Sequence, residues 1–218
     1  MGNGSMGSIV ISGLRSVAAS FPGFASIAQA WNEAETELRN RRINLFFDQL
    51  GRDLMEIKDR IVQIEKELIP RKDLHALLER TVEKVQREAS DVKIRTYSQL
   101  LTNTIAFPIS SYDEGINFIE TLDTLTDQDL CLLMTFKDHP NIRVDGLVED
   151  SIFSNNTAKM SRIIVSLSKL EGRGIIGESI DAGGALAWTG DAQDWYNRWK
   201  RKSFELLPFG HQFLRMIK

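Results

Sequence analysis

The sequence predicts a mainly α-helical protein: an antiparallel helical bundle built around one long heptad-patterned helix, followed by a second helical unit that carries a small β element. Three observations predict it. Apolar residues from Ile43 to Leu68 recur in alternating steps of four and three, which places them on one stripe of a long helix. Shorter apolar helical repeats with polar caps continue as far as Leu122. Beyond Thr124 the pattern changes again, and glycine-flanked apolar runs of strand length stand around Ile175 and Phe204. The expected organisation is a flexible leader over residues 1–7, a bundle or oligomerisation domain over 8–123 and a C-terminal domain over 124–218.

The 218 residues suffice for one large domain or two small ones, each with its own core. Hydrophobic residues at 42% and charged residues at 26% are ordinary for a soluble globular protein. No uninterrupted apolar run approaches the roughly 20 residues that span a bilayer as a helix. The single cysteine, Cys131, has no internal disulfide partner and falls on the apolar side of a predicted helix, so a buried, inert thiol in the cytoplasm is expected. The formal net charge of −3 conceals an asymmetry: residues 151–218 hold 10 basic and 6 acidic side chains, a balance of +4, while the rest of the chain stands at −7. An anionic partner is therefore expected at the C-terminal end.

The first seven residues, MGNGSMG, read as a flexible leader and are expected to take no part in the fold. Residues 8–31 carry one charge, Arg15, and are interrupted by Pro22-Gly23. They read as a helix pair packed on the bundle; the alternative is a segment that touches a membrane or a partner through Phe21, Phe24 and Ile27. The first long helix spans residues 31–68, with Ile43, Phe47, Leu50, Leu54, Ile57, Ile61, Ile64 and Leu68 on its stripe and Pro70 as its stop. Its heptads are read as bundle core. The alternative is a homodimeric coiled coil that uses Phe47, Leu54 and Ile61.

A second helix begins near Lys72, with Leu74, Leu78, Val82 and Val85 inward. A third is capped by Ser90 and carries Ile94, Tyr97, Leu101 and Ile105. A fourth, opened by Ser110 or Ser111, holds Ile116, Ile119 and Leu122. Short connections make successive helices antiparallel.

In the C-terminal part, Thr126 and Asp129 form a capping-box pair ahead of Leu130, Leu132, Leu133 and Phe136, and His139-Pro140 closes that helix. A short segment over residues 144–148 follows, and Asn155-Asn156 caps the next helix. That helix, over residues 157–171, has Met160, Ile163, Ile164, Leu167 and Leu170 as its core stripe. Its other face is expected to be Lys159, Arg162, Ser166, Lys169 and Arg173, a basic surface of the kind that enters a DNA groove. Ile175-Ile176-Gly177 and residues 203–207 read as two strands, and Pro208 opens a last helix. Between the strands, Trp195 and Trp199 stand one turn apart beside Arg198, Lys200, Arg201 and Lys202. Basic groups interleaved with aromatics suit nucleic acid; the alternative is packed tryptophans within a solvated basic rim.

The run Leu167-Ser168-Lys169-Leu170-Glu171-Gly172-Arg173-Gly174-Ile175-Ile176, with the later run Phe204-Glu205-Leu206-Leu207-Pro208-Phe209-Gly210, resembles winged-helix domains of the bacterial regulator type. The resemblance covers about 90 residues. It implies a recognition helix ending near Leu170 and a wing between the two runs, and the stretch over residues 178–202 is unusually long for such a wing. The helical bundle resembles that of accessory proteins of bacterial and phage-related loci, antiviral defence modules among them.

Chemistry is not expected. His75, His139 and His211 lack acidic or thiol neighbours at metal-ligand spacing, and the acidic groups Asp53/Glu56 and Asp145/Glu149/Asp150 are ordinary helix-surface spacings. No P-loop, dinucleotide fingerprint or nucleophile elbow occurs. The expectation is a non-enzymatic protein without cofactor or metal. Two function classes follow: a regulator that binds duplex DNA, or an interaction subunit that docks a protein partner, a second copy or a membrane.

Overall fold

A computed structural model describes residues 37–56, 71–106, 112–149, 157–179, 199 and 201–217. The chain divides into two compact units, one reaching Thr124 and taking in the last three residues, the other spanning Leu125–Arg215.

The first unit contains four described helices: α1 (Glu37–Glu56), α2 (Arg71–Arg87), α3 (Asp91–Ala106) and α4 (Tyr112–Thr124). Ile43, Phe47, Leu50 and Leu54 are all buried along α1, as the four-three spacing requires. Phe46 is buried beside them, edge-on to Phe47 with ring centroids 5.1 Å apart. The alternative in which Phe47 and Leu54 form a dimer seam is thereby corrected: both are closed off inside the unit's own core, as the bundle reading expects. The second half of the heptad pattern, from Ile57 to Leu68, lies outside the described residues, as do residues 8–31 with Phe21, Phe24 and Ile27.

Cross-helix bonds fix the directions. Arg42 Nη1 donates to Gln86 O at 3.0 Å, joining the start of α1 to the end of α2. Ser98 Oγ donates to Asp53 Oδ2 at 2.7 Å, while Arg41 faces Asp91, so α1 and α3 run the same way. Ser90 caps α3 by accepting from Lys93 N at 3.2 Å. The second and fourth helices also share a direction and are joined by a charged lattice. Arg80 and Lys84 both reach Glu120, at 2.6 and 2.9 Å, and Lys84 also reaches Asp123 at 2.7 Å. Successive helices are therefore antiparallel.

The second unit runs α5 (Asp127–Asp138), β1 (Asn141–Arg143), α6 (Val144–Glu149), α7 (Thr157–Gly172), β2 (Ile176–Glu178), β3 (Ser203–Leu206) and α8 (Pro208–Met216). Its three strands form an antiparallel sheet in the order β1-β3-β2. Ile142 lies opposite Phe204 and Ile176 opposite Leu206, and all four are buried. Each buried pair is thus a cross-strand contact on one sheet face. The capping box at the start of α5 is complete: Thr126 N donates to Asp129 Oδ2 at 2.7 Å and Asp129 N to Thr126 Oγ1 at 3.2 Å.

Cys131 is exposed, contrary to the expectation of a buried thiol. The buried residues Asp129, Leu132, Leu133 and Phe136 define the inner side of α5, and at 100° per residue position 131 falls on the far side.

The end of α7 and the start of β2 are set by one glycine. Gly174 has φ +67°, a region that side-chain-bearing residues avoid. Its N–H donates to Glu171 O at 2.8 Å, and Ile175 N donates back to Leu170 O at 3.0 Å. This double closure is a Schellman motif, with buried Ile175 and Leu170 as its apolar contact. It turns the chain out of the helix and into the ribbon within two residues.

Candidate nucleic-acid interface

The outward surface of α7 is the candidate site. Buried Ile163, Ile164, Leu167 and Leu170 anchor it, and what remains exposed is Ser161, Arg162, Val165, Ser168, Glu171 and Gly172, with Arg173 just beyond. Helix geometry puts Ser161, Val165, Ser168 and Gly172 along the middle of the exposed surface. Arg162 stands on one flank, with Lys169 two turns on and on the same side, and Glu171 on the other flank.

This arrangement differs from the expected basic face. Ser166 is only 4% exposed and belongs to the buried side. Lys169 is half-buried, and its Nζ donates to Asp129 Oδ2 at 2.7 Å. Asp129 is itself 2% exposed, so the same carboxylate completes the cap of α5 and holds α7 from across the unit. Burial raises the Asp129 carboxyl, but hydrogen bonds from Lys169, Ser166 and the backbone and hydroxyl of Thr126 outweigh it and hold the group below the ordinary carboxylate value. A buried carboxylate with this many donors is fully satisfied. Lys169 and Ser166 are therefore docking residues of the fold, and the free cations are Arg162 and Arg173, which have no acidic partner among the described residues.

Near the strand ribbon, Lys202 Nζ donates to Glu178 Oε2 at 2.6 Å. The same ammonium lies 4.8 Å from the Trp199 ring centroid, and Trp199 stacks on buried Phe204 at 6.1 Å. Lys202 is thus neutralised and packed, whereas Arg201 is exposed. Lys200, Arg198 and Trp195 lie outside the described residues, and of Lys159 only its place in the first turn of α7 is described.

Sequence reasoning missed Val165 and Ser168. Their signal was present: positions 161, 165, 168 and 172 repeat at steps of four, three and four, out of phase with the buried stripe. A search for basic residues passes over such a strip because its members are small and uncharged.

Among the described residues no three His, Cys, Asp or Glu side chains gather closely enough to hold a metal ion, and no helix is long and apolar enough to cross a membrane. Comparison with protein-family models, with curated proteins and with solved structures finds no match for this chain.

Proposed function

We propose that residues 125–215 form a winged-helix domain that binds duplex DNA, with α7 as its recognition helix, and that the protein acts as a non-enzymatic regulator. The observation that carries the reading is the exposed surface of α7, where Arg162, Val165, Ser168 and Arg173 stand outward ahead of the β2–β3 ribbon. A helix with a low-profile centre and a cationic flank fits a major groove: the small side chains let the backbone approach the base edges, and the arginines neutralise phosphates. The order of elements supports the same reading, since α5, β1, α6 and α7 are followed by the antiparallel pair β2 and β3, with β1 on the other edge of β3. The overall charge of −3 favours a second reading, in which the same surface docks a protein partner.

Fluorescence anisotropy with a mixed-sequence duplex at low and moderate salt separates the two. The DNA reading expects binding that weakens with salt, and Arg162→Gln is expected to lower the slope of log affinity against log salt by about 1, the value for one phosphate contact. Lys169→Gln is expected to leave that slope unchanged, because Lys169 is committed to Asp129. Wild-type protein that binds no duplex at low salt sinks the DNA reading and favours the docking one.

A further inference from the structure

We infer that Val165 is a sequence-reading residue of α7 and that it selects a thymine by contact with the 5-methyl group. The inference rests on the DNA reading given above.

The argument starts from what the middle of the exposed surface offers. Val165 is 67% exposed, the most open of the three large apolar side chains that are exposed among the described residues. Ser168 and Gly172 follow it on the same strip and Ser161 precedes it. Valine is the longest side chain of that strip, so it reaches farthest toward a ligand lying along the helix axis. Its β-branch leaves one strongly preferred χ1 rotamer in a helix, so the isopropyl group is held in place before binding.

Charge complementarity identifies the occupant. Arg162 stands one turn before Val165 and Arg173 stands beyond the helix end, both exposed and both without an acidic partner among the described residues. A polyanion held by these two cations brings its interior, not its phosphates, against position 165. An isopropyl group has no donor or acceptor, so it cannot distinguish bases by hydrogen bonding. The one apolar group that the major groove presents is the thymine methyl, and apolar side chains read thymine by covering it. Burying one such carbon is worth roughly a four-fold change in affinity.

The test uses the full chain and a pool of duplexes with a randomised central segment. Wild type is carried through rounds of selection, and the enriched site is then resynthesised with deoxyuridine replacing each thymidine in turn, which removes only the methyl. One position is expected to show a loss of about four-fold for wild type, and the Val165→Ser variant is expected to lose that sensitivity while keeping its salt dependence. Val165→Ile is expected to retain it. An enriched site whose deoxyuridine profile is the same for wild type and Val165→Ser overturns the inference and leaves the DNA reading standing. No enrichment also overturns it: with salt-sensitive binding, DNA recognition survives as a sequence-blind activity, and without any binding both readings fall.

Discussion

The helix pairs α2/α4 of the first unit and α5/α7 of the second are tied by polar groups in opposite ways. In the helical unit, α2 and α4 are joined by Arg80, Lys84, Glu120 and Asp123, with Glu83 beside them, and most of these side chains are between a third and two-fifths exposed. Each cation there has two anions, so removing one charge leaves its partners engaged. In the second unit, the docking of α7 on α5 runs through the single carboxylate of Asp129, whose side chain is 3% exposed. A distributed lattice near solvent contributes little per pair and loses little per pair. A single buried acceptor concentrates the same job in one residue, and its loss strands an ammonium and several donors at once. The difference teaches that the α5/α7 contact is the more brittle of the two, and that its weak point is one named carboxylate.

The largest expected effect lies at Gly210. A Cβ there would overlap the Ile175 carbonyl oxygen and come within 3.1 Å of Leu206 Cδ2. That oxygen already accepts from Leu207 N at 3.0 Å, so it cannot swing aside without breaking the cross-strand bond that extends the β2–β3 pairing next to α8. Gly210→Ala is expected to destabilise the second unit by about 3 kcal/mol, at the upper end of overpacking costs. Residue-resolved hydrogen exchange would show lost protection in α5 and α7 with α1–α4 unchanged. Equal loss in both units would break the comparison, because it would mean that they unfold together.

How much of this was legible depends on the range of the interaction. The capping box of Thr126 and Asp129 was readable because its two residues are three apart and the chemistry is local. The bond from Lys169 to Asp129 was not, since the two are 40 residues apart and an isolated helix gives no sign that one of its lysines is occupied. The same blindness turned Ser166 and Lys169 into a basic face, whereas the exposed place of Cys131 was legible from the phase of α5 and was misread. Gly172 and Gly174 stand at the end of α7 in the sequence, but only the backbone angle singles out Gly174 as the left-handed one. The strand β1, at three residues, is too short to show a period of two, and it exists because β3 offers it an edge. In the first unit the heptads located the core of α1 correctly, yet periodicity could not tell an internal core from a dimer seam.

Replacing Asp129 by asparagine sharpens the contrast next. The change keeps the shape and removes the charge, leaving Lys169 half-buried without an anion, and is expected to cost about 2 kcal/mol. The pH dependence follows the same residue. Its carboxyl titrates below the ordinary value of 3.8 when folded, so the stabilisation is fully present above 3.8 and is lost as the pH falls through the lower folded value. Denaturation of wild type in steps from pH 5 downward is expected to show the second unit weakening in that window. Asp129→Asn should flatten that part of the profile, and an unchanged profile would show that the acid sensitivity resides elsewhere.

The smallest effect belongs to the lattice of the first unit. Glu120 is held below its ordinary value by hydrogen bonds from Lys84, against burial, and from Arg80, which on its own would suggest an important residue. Its side chain is 36% exposed, however, and both cations have a second partner: Lys84 keeps Asp123 at 2.7 Å and Arg80 keeps Glu83 at 2.8 Å. Solvent screening and this redundancy limit the expected cost of Glu120→Gln to about 0.5 kcal/mol, measurable as a small shift in the denaturant midpoint of the helical unit with an unchanged slope. Glu120→Gln and Asp123→Asn together should cost more than the sum of the two single changes, because Lys84 then loses both anions and its part-buried ammonium is left without a counter-charge. Strict additivity would mean that Lys84 finds water as readily as carboxylate, and the lattice would then be a surface feature with no part in holding α2 to α4.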